Sequence, residues 1–329
     1  MPNPTTSSLH INTPLTNIAV GAVQDASAFA AGRVFPMVPV MKQSDIYRTF
    51  NIADMYRDDL KPRAAGTESH GTGYRVGEDS YICKRYDLHH DVADEERSNA
   101  DSVFNLDADA TRIITNKAMI RREMMFASSY LTTGTWSLDK QGVASGATGN
   151  QFIKWSDDAS DPVADVNAAK LRILLATGKR ANKVTMSYDV RQALDTNPAV
   201  IDRIKYSGGI GNNTPVVVND MALAQVFGVD EVIVSTAIYN TAKEGEAHSG
   251  AFIAAGKVLV SYSPTSPSIF DLSAGYIFSW SGLLGSQDGM RVKKFRMEQL
   301  ESDRIEIQTA WDMKLVSNGA GVLLYDVVA

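Results

Sequence analysis

The stretch RIEIQTAWDMKL (Arg304–Leu315) alternates with near-perfect period two. Ile305, Ile307, Thr309, Trp311, Met313 and Leu315 share one face, and Arg304, Glu306, Gln308, Asp312 and Lys314 share the other. That pattern predicts a half-buried strand about twice the usual length. MRVKKFRMEQL before it should pair antiparallel through a turn at Glu301–Asp303, and VLLYDVV should form a last strand after the SNGAG turn.

A helix of similar length precedes it. Val103, Leu106, Ala110, Ile113, Ile120, Met124, Ala127 and Leu131 recur at three- and four-residue steps, with Lys117 interrupting. Asp101, Asp107 and Asp109 sit near its start, while Arg112, Lys117, Arg121 and Arg122 come later, so charge follows the helix dipole. Gly134 is the expected stop. Val163–Thr177 reads as a second amphipathic helix ending at Gly178. Short alternating elements follow: KVTMS as a strand, YDVRQALDT, PAVIDRIKY and MALAQVFG as helices, DEVIVSTAIY and GKVLVSY as strands. The order is mixed rather than a regular βαβ series, so the fold class is α+β.

Between Leu60 and Tyr74 the chain reads LKPRAAGTESHGTGY, which has almost nothing to bury. Both flanks, Tyr47–Tyr56 and Tyr74–Asp91, read as strands. The result is a long hairpin with a glycine-rich tip, and a two-stranded hairpin alone is marginal in water. It must lie on something, either its own domain or another molecule. Upstream, Pro36 and Pro39 bar a helix and a central strand, leaving Val34–Met41 as an extended edge segment or a loop under the core. Residues 1–33 read as an arm too poor in apolar bulk to form an independent core.

Composition narrows the function. The chain has 329 residues, 44% apolar and 21% charged, an ordinary globular balance sufficient for roughly two domains. A net charge of −6 argues against a dedicated nucleic-acid binder. No run approaches a membrane span, and MPNPTTSSLHINTP lacks the pattern of a secretory signal. Cys83 is the single cysteine, so an intrachain disulfide is impossible.

The chemistry-bearing candidates are weak. Asp87, His89 and Asp91 share a strand face, with His90 and Glu95 nearby, but no second His/Cys cluster completes a metal site. Asn105, Asp107 and Asp109 copy the first spacing of a calcium loop, yet Ala110 stands where glycine is required and the distal glutamate is missing. GTGYRVG and GGIGNNT lack the strand–turn–helix setting of a phosphate loop. Cys83 beside Lys84 and Arg85 reads better as an inward or interface cysteine than as a nucleophile. Arg121–Arg122 and Lys293–Lys294 read as ion-pair partners or solvated faces. No catalytic, cofactor-binding or metal residue is assigned.

The order of these parts resembles the major capsid proteins of tailed bacteriophages, with the HK97-like fold. AFAAGRVFPMVPVMKQSDIYRTF is similar to the arm entering the extended loop. AAGTESHGTG, DVADEERSNAD and the long helix follow in the order of that family, and FRMEQLESDRIEIQTAWDMKLVSNGAGVLLYDVV is similar to its closing ribbon. The resemblance implies an N-terminal arm (1–47), an extended loop (48–90), a peripheral domain with spine helix and ribbon (91–180 and 286–329) and an axial domain (181–285). It implies pentamers and hexamers that close into an icosahedral head around double-stranded DNA, with the loop tip (Pro62, Arg63, Gly66, Glu68, Gly71 and Gly73) on a neighbouring subunit. Virion localisation, assembly in the host cytoplasm, a separate scaffolding protein, a portal protein and a decoration protein are further implications. So is non-specific proximity to the packaged DNA, with no membrane partner. Lys61 is the only lysine near the tip, and no cross-link is assigned to it. An encapsulin-like shell around enzyme cargo and a soluble enzyme stay open as alternatives.

Overall fold

The computed structural model describes residues 24–50, 52–100, 105–207, 218–267 and 272–329. Residues 1–23, Asp101, Val103 and the GGIGNNT segment lie outside the described residues. The strand expected from the alternation spans Ser302–Leu315 and is the centre of a five-stranded sheet. One edge pairs antiparallel with Lys84–Ala93, from Ser302↔Ala93 to Trp311↔Lys84. The other edge serves two partners end to end. Met290–Met297 takes the first half, from Met297↔Ser302 to Met290↔Thr309, and Gly275–Trp280 takes the second, from Ser279↔Trp311 to Gly275↔Leu315. Two strands laid in line along one edge are the physical reason for the strand's length. The reversal before it uses a 3-10 turn at Glu298–Leu300 and a left-handed Glu301 (φ 43°). Met37–Val40 closes the sheet, parallel to Gly275–Trp280. Pro39 thus stands in an edge strand, where its missing N–H costs no ladder bond.

The spine helix spans Leu106–Tyr130 and runs alongside the central strand in the same direction. Ala110, Ile114 and Ala118 meet Ile305, Ile307 and Val92. Further along, Phe126 and Tyr130 share a core with Met313, Ile277 and Phe35. Asn105 caps the helix by accepting from Ala108 N (3.1 Å), and Trp136 Nε1 donates to the carbonyl of Tyr130 (2.7 Å) at the other end. The buried stripe is Ala110, Ile114, Ala118, Arg122, Glu123, Phe126 and Tyr130. It is not the one expected, since Ile113 is 44% and Met124 37% exposed. Alanines let the helix approach the sheet closely, and two buried charged residues interrupt the apolar signal at mid-helix.

The second sheet has six strands in the order 151–153, 139–143, 321–325, 258–261, 183–187, 231–235. Helix Pro162–Thr177, capped by Asp161 and stopped at a left-handed Gly178, packs on it through Val166, Ala169 and Ile173. The last strand, Gly321–Tyr325, pairs antiparallel with Val258–Ser261 and parallel with Asp139–Val143. It therefore leaves the ribbon and joins the strands of 181–285, and the sequence boundary at residue 285 cuts across this sheet. At its start a Cβ on Gly321 would lie 2.5 Å from the Trp136 ring, so only glycine fits there.

The hairpin is a separate two-stranded sheet, Ser44–Phe50 with Val76–Ile82. It differs from expectation in two places. The first strand stops at Phe50, and Ile52–Met55 is a helical turn. The second is not one strand, because it changes partner at Cys83: Val76–Ile82 pairs within the hairpin and Lys84–Ala93 pairs with the ribbon.

Candidate assembly surface

The hairpin is anchored at its root. Tyr81 stacks on Phe278 (centroids 4.5 Å apart, 15° between planes), and Tyr47 packs on the same ring at 5.4 Å. Ile82 N donates to Asp312 Oδ2 (2.9 Å) and Cys83 N donates to Gln43 O (2.8 Å). Cys83 is fully buried, with Sγ 3.7 Å from Phe278 O, and burial pushes its thiol up to about 12. This is the chemistry of an inert pivot residue.

Beyond the root the hairpin holds itself together by polar contacts. Asp54 receives Arg75 bidentately (2.9 and 3.0 Å) and also accepts from Arg75 N (3.1 Å), and these bonds hold its carboxyl below the usual carboxylate range. Thr72 Oγ1 donates to Asp59 Oδ2 (2.8 Å), and Thr67 Oγ1 donates to Ala64 O (2.8 Å). Tyr56 reaches the body, donating to Thr177 O (2.9 Å) at the end of helix Pro162–Thr177.

The tip covers none of its own core. Every residue from Leu60 to Ser80 is exposed, including Pro62, Arg63, Gly66, Glu68, Gly71 and Gly73. Gly66 is left-handed (φ 82°), which suits a turn that L side chains avoid. Large apolar side chains stand in solvent along the same hairpin: Leu60 is 93% exposed, Tyr74 62% and Ile46 61%. A second exposed apolar group, Leu171, Leu174 and Leu175, lies on one face of helix Pro162–Thr177. Exposed apolar side chains of this kind are available for contact with another molecule.

The remaining candidate residues are occupied locally. Asp91 is bidentate to Arg304 (2.7 and 2.7 Å), and Asp87 pairs with Arg85 (2.6 Å). Among the described residues, no three His, Cys, Asp or Glu side chains are grouped to hold a metal ion. Asp107 binds Arg97 (2.7 Å) and Lys294 (2.6 Å), while Asp109 lies 3.8 Å from Arg112. Asp303 gathers Arg97 (2.8 Å), Lys294 (3.2 Å) and Arg296 (3.5 Å), and these hydrogen bonds hold its carboxyl low. This network ties the start of the spine to the ribbon turn. Arg121 lies over the Tyr86 ring (5.1 Å). GTGYRVG runs up the hairpin and builds no phosphate cradle. No helix among the described residues is long and apolar enough to cross a membrane.

One node escaped the sequence reading. Glu123 is 1% exposed and accepts from Ala30 N (3.1 Å), Ala31 N (2.9 Å) and Ser235 Oγ (2.9 Å). It joins the arm, the spine helix and a strand of the second sheet at one carboxylate. Burial outweighs these bonds and raises its carboxyl above the ordinary glutamate value. Neighbouring Arg122 is buried with its guanidinium over Trp311 (5.9 Å). Two adjacent charges in the middle of an i, i+4 stripe were the available signal.

No protein-family model matches the chain. A curated relative, the major capsid protein of Burkholderia phage BcepMu, is 25% identical over 241 residues, covering 72% of this chain and 73% of the relative. A crystal structure of a phage-related protein from Bordetella bronchiseptica RB50 superposes with a TM-score of 0.67 at 22% identity, covering 96% of this chain and 97% of that one. The capsid of cyanophage P-SCSP1u matches at 0.59 and 12% identity over 99% of both chains. The SrpI encapsulin of Synechococcus elongatus PCC 7942 matches at 0.54 and 13% identity, over 97% of this chain and 96% of that one. The structural matches run nearly end to end, so they take in the hairpin, spine and both sheets together. The chain has the α+β, HK97-like fold of phage capsid proteins.

Proposed function

We propose that this chain is the structural subunit of a bacteriophage icosahedral head, assembling as pentamers and hexamers into a shell around double-stranded DNA. The observation that carries this reading is the hairpin: an unbroken exposed run from Leu60 to Ser80, with apolar side chains in solvent, on a fold shared with phage capsids. Its tip, through Pro62, Arg63, Gly66, Glu68, Gly71 and Gly73, lies on the neighbouring subunit. Residues 1–47 act as the arm, 48–90 as the extended loop, 91–180 with 286–329 as the peripheral domain and 181–285 as the axial domain.

The role is structural rather than catalytic, and the chain works as a virion component assembled in the host cytoplasm. Scaffolding, portal and decoration proteins complete the particle as separate chains. A net charge of −6 suits a wall that stands beside packed DNA without holding it, since each phosphate contact would strengthen retention. Closure rests on many modest contacts per subunit rather than on one tight interface.

Negative-stain microscopy of the purified full chain tests the reading. Closed particles of uniform size are expected, and a monodisperse monomer or small oligomer would refute it. The encapsulin match favours a second reading, a shell around enzyme cargo. Particles isolated from the native source decide between them, by holding nucleic acid or a co-purifying enzyme.

A further inference from the structure

The helical turn Ala31–Val34 in the arm has no local reason to form. It is four residues long, it contains Gly32, and the residue before it, Ala30, has no side chain able to cap it. A single turn fixes more backbone freedom than its own bonds return, and glycine adds to that cost. Within the turn, Arg33 N and Val34 N donate to Ala30 O (2.9 and 3.1 Å). The groups that so short a helix leaves open at its ends are met from far away in sequence. At one end Glu123, on the spine helix, accepts from Ala30 N (3.1 Å) and Ala31 N (2.9 Å). At the other end Lys183, on a strand of the second sheet, donates through Nζ to Arg33 O (2.6 Å) and Val34 O (3.1 Å). Ser263, two residues beyond the strand Val258–Ser261, donates to Val34 O (2.8 Å).

The two grips come from different layers of the molecule. Glu123 belongs to the helix that covers the first sheet, and Lys183 belongs to the second sheet. Between them Ala30, Ala31, Val34 and Phe35 are at most 1% exposed. They share one core with Phe126 and Tyr130 of the spine, Ile277 of the first sheet, and Ile233 and Leu259 of the second. Ser235 Oγ donates to Glu123 Oε1 (2.9 Å), and Arg33 pairs with Glu231 (2.8 Å), so the second sheet also reaches toward the spine end. One turn is too short to keep half of its structure, so the loss of one grip removes the geometry that the other needs. We propose that Glu123 and Lys183 act together as a two-ended latch on the turn Ala31–Val34. The latch closes only while the spine helix and the second sheet are aligned, and it releases the arm root at both ends when either grip is lost.

Hydrogen exchange in the full chain tests this at the amides of Arg33 and Val34, because neither grip touches their acceptor, Ala30 O. Glu123→Gln and Lys183→Met should each speed these two amides by about tenfold or more, while those of Leu323 and Leu324 stay slow. The double variant should exchange them no faster than the faster single variant, since the turn opens as one unit. Lys183→Arg, which keeps a donor, should restore slow exchange. Unchanged amides in either single variant, or effects that multiply in the double variant, would overturn the proposal. So would acceleration that extends equally to Leu323 and Leu324, the mark of general loosening. Ser263→Ala removes one bond and no charge, and it decides the matter should Lys183→Met not fold. It should speed Arg33 and Val34 by about threefold, and no change there would equally overturn the latch.

Discussion

The ribbon strand Ser302–Leu315 and the hairpin Ser44–Ile82 are built from the same local material and meet opposite fates. Ile305 and Ile307 are 2% and 1% exposed, while Ile46 and Ile82 are 61% and 54% exposed. The ribbon strand is paired on both edges and covered by the spine helix. The hairpin strands pair only with each other and rest on Phe278 at the root. Strand propensity therefore says little about burial; what decides it is whether the same chain supplies a second layer. Each exposed Ile or Leu on the hairpin has about 1.5–3 kcal/mol of burial still to gain from a partner. The ribbon stabilises the subunit, and under the proposed function the hairpin stabilises contact between subunits.

This contrast can be broken at either end. On the ribbon side, Trp311→Ala should destabilise the unassembled subunit by about 3–5 kcal/mol in denaturant unfolding, through the cavity beneath Arg122. A change below about 1 kcal/mol would show that the ribbon core is not what holds the subunit. Glu123→Ala strands the donors at Ala30, Ala31 and Ser235 and should cost about 2–3 kcal/mol in the same measurement.

Glu123 also predicts a pH trend. Its folded carboxyl titrates above the ordinary value of 4.5, because burial disfavours the charge. Between the unfolded and folded values the native state binds more protons, so this group's contribution to stability falls as pH rises through that window. Thermal unfolding from pH 4.5 upward should show that decline, and Glu123→Gln should flatten it. An unchanged slope in the variant would remove Glu123 as its source.

On the hairpin side the expected effect on the subunit is near zero. Deleting Ala64–Gly73 should shift unfolding by less than about 0.5 kcal/mol while abolishing particle formation in the microscope. Unfolding of the subunit by this deletion would show that the tip belongs to its own core. Leu60→Ser, at a side chain 93% exposed, is the smallest change. It should leave the melting curve unaltered and reduce only the yield of particles.

Much of the architecture was legible in local pattern. The alternation at Arg304–Leu315 and the helix at Pro162–Thr177 with its Gly178 stop report geometry that neighbouring residues impose by themselves, whereas Pro36 and Pro39 left an edge strand and a loop equally open. The exposed tip was legible for the same reason as the alternation and the helix, since Lys61–Gly73 carries almost no apolar bulk to hide. Two features resisted. The spine stripe runs through Arg122 and Glu123, whose burial depends on Ala30, Ala31, Ser235 and Trp311, residues far away in sequence. The segment Val76–Ala93 reads as one strand because nothing at Cys83 breaks its propensity, while the pairing partner changes there.

The sequence by itself determined most of the strand and helix segments, the apolar face of the ribbon strand, and that one hairpin tip has no core to cover. Those are properties of period and side-chain chemistry over a few residues. Only the tertiary structure decided which strands pair, that the last strand, Gly321–Tyr325, crosses into the second sheet, and that a buried carboxylate ties the arm to the spine. Pairing and burial are settled by competition among distant segments for the same surface, and no local pattern carries the outcome of that competition.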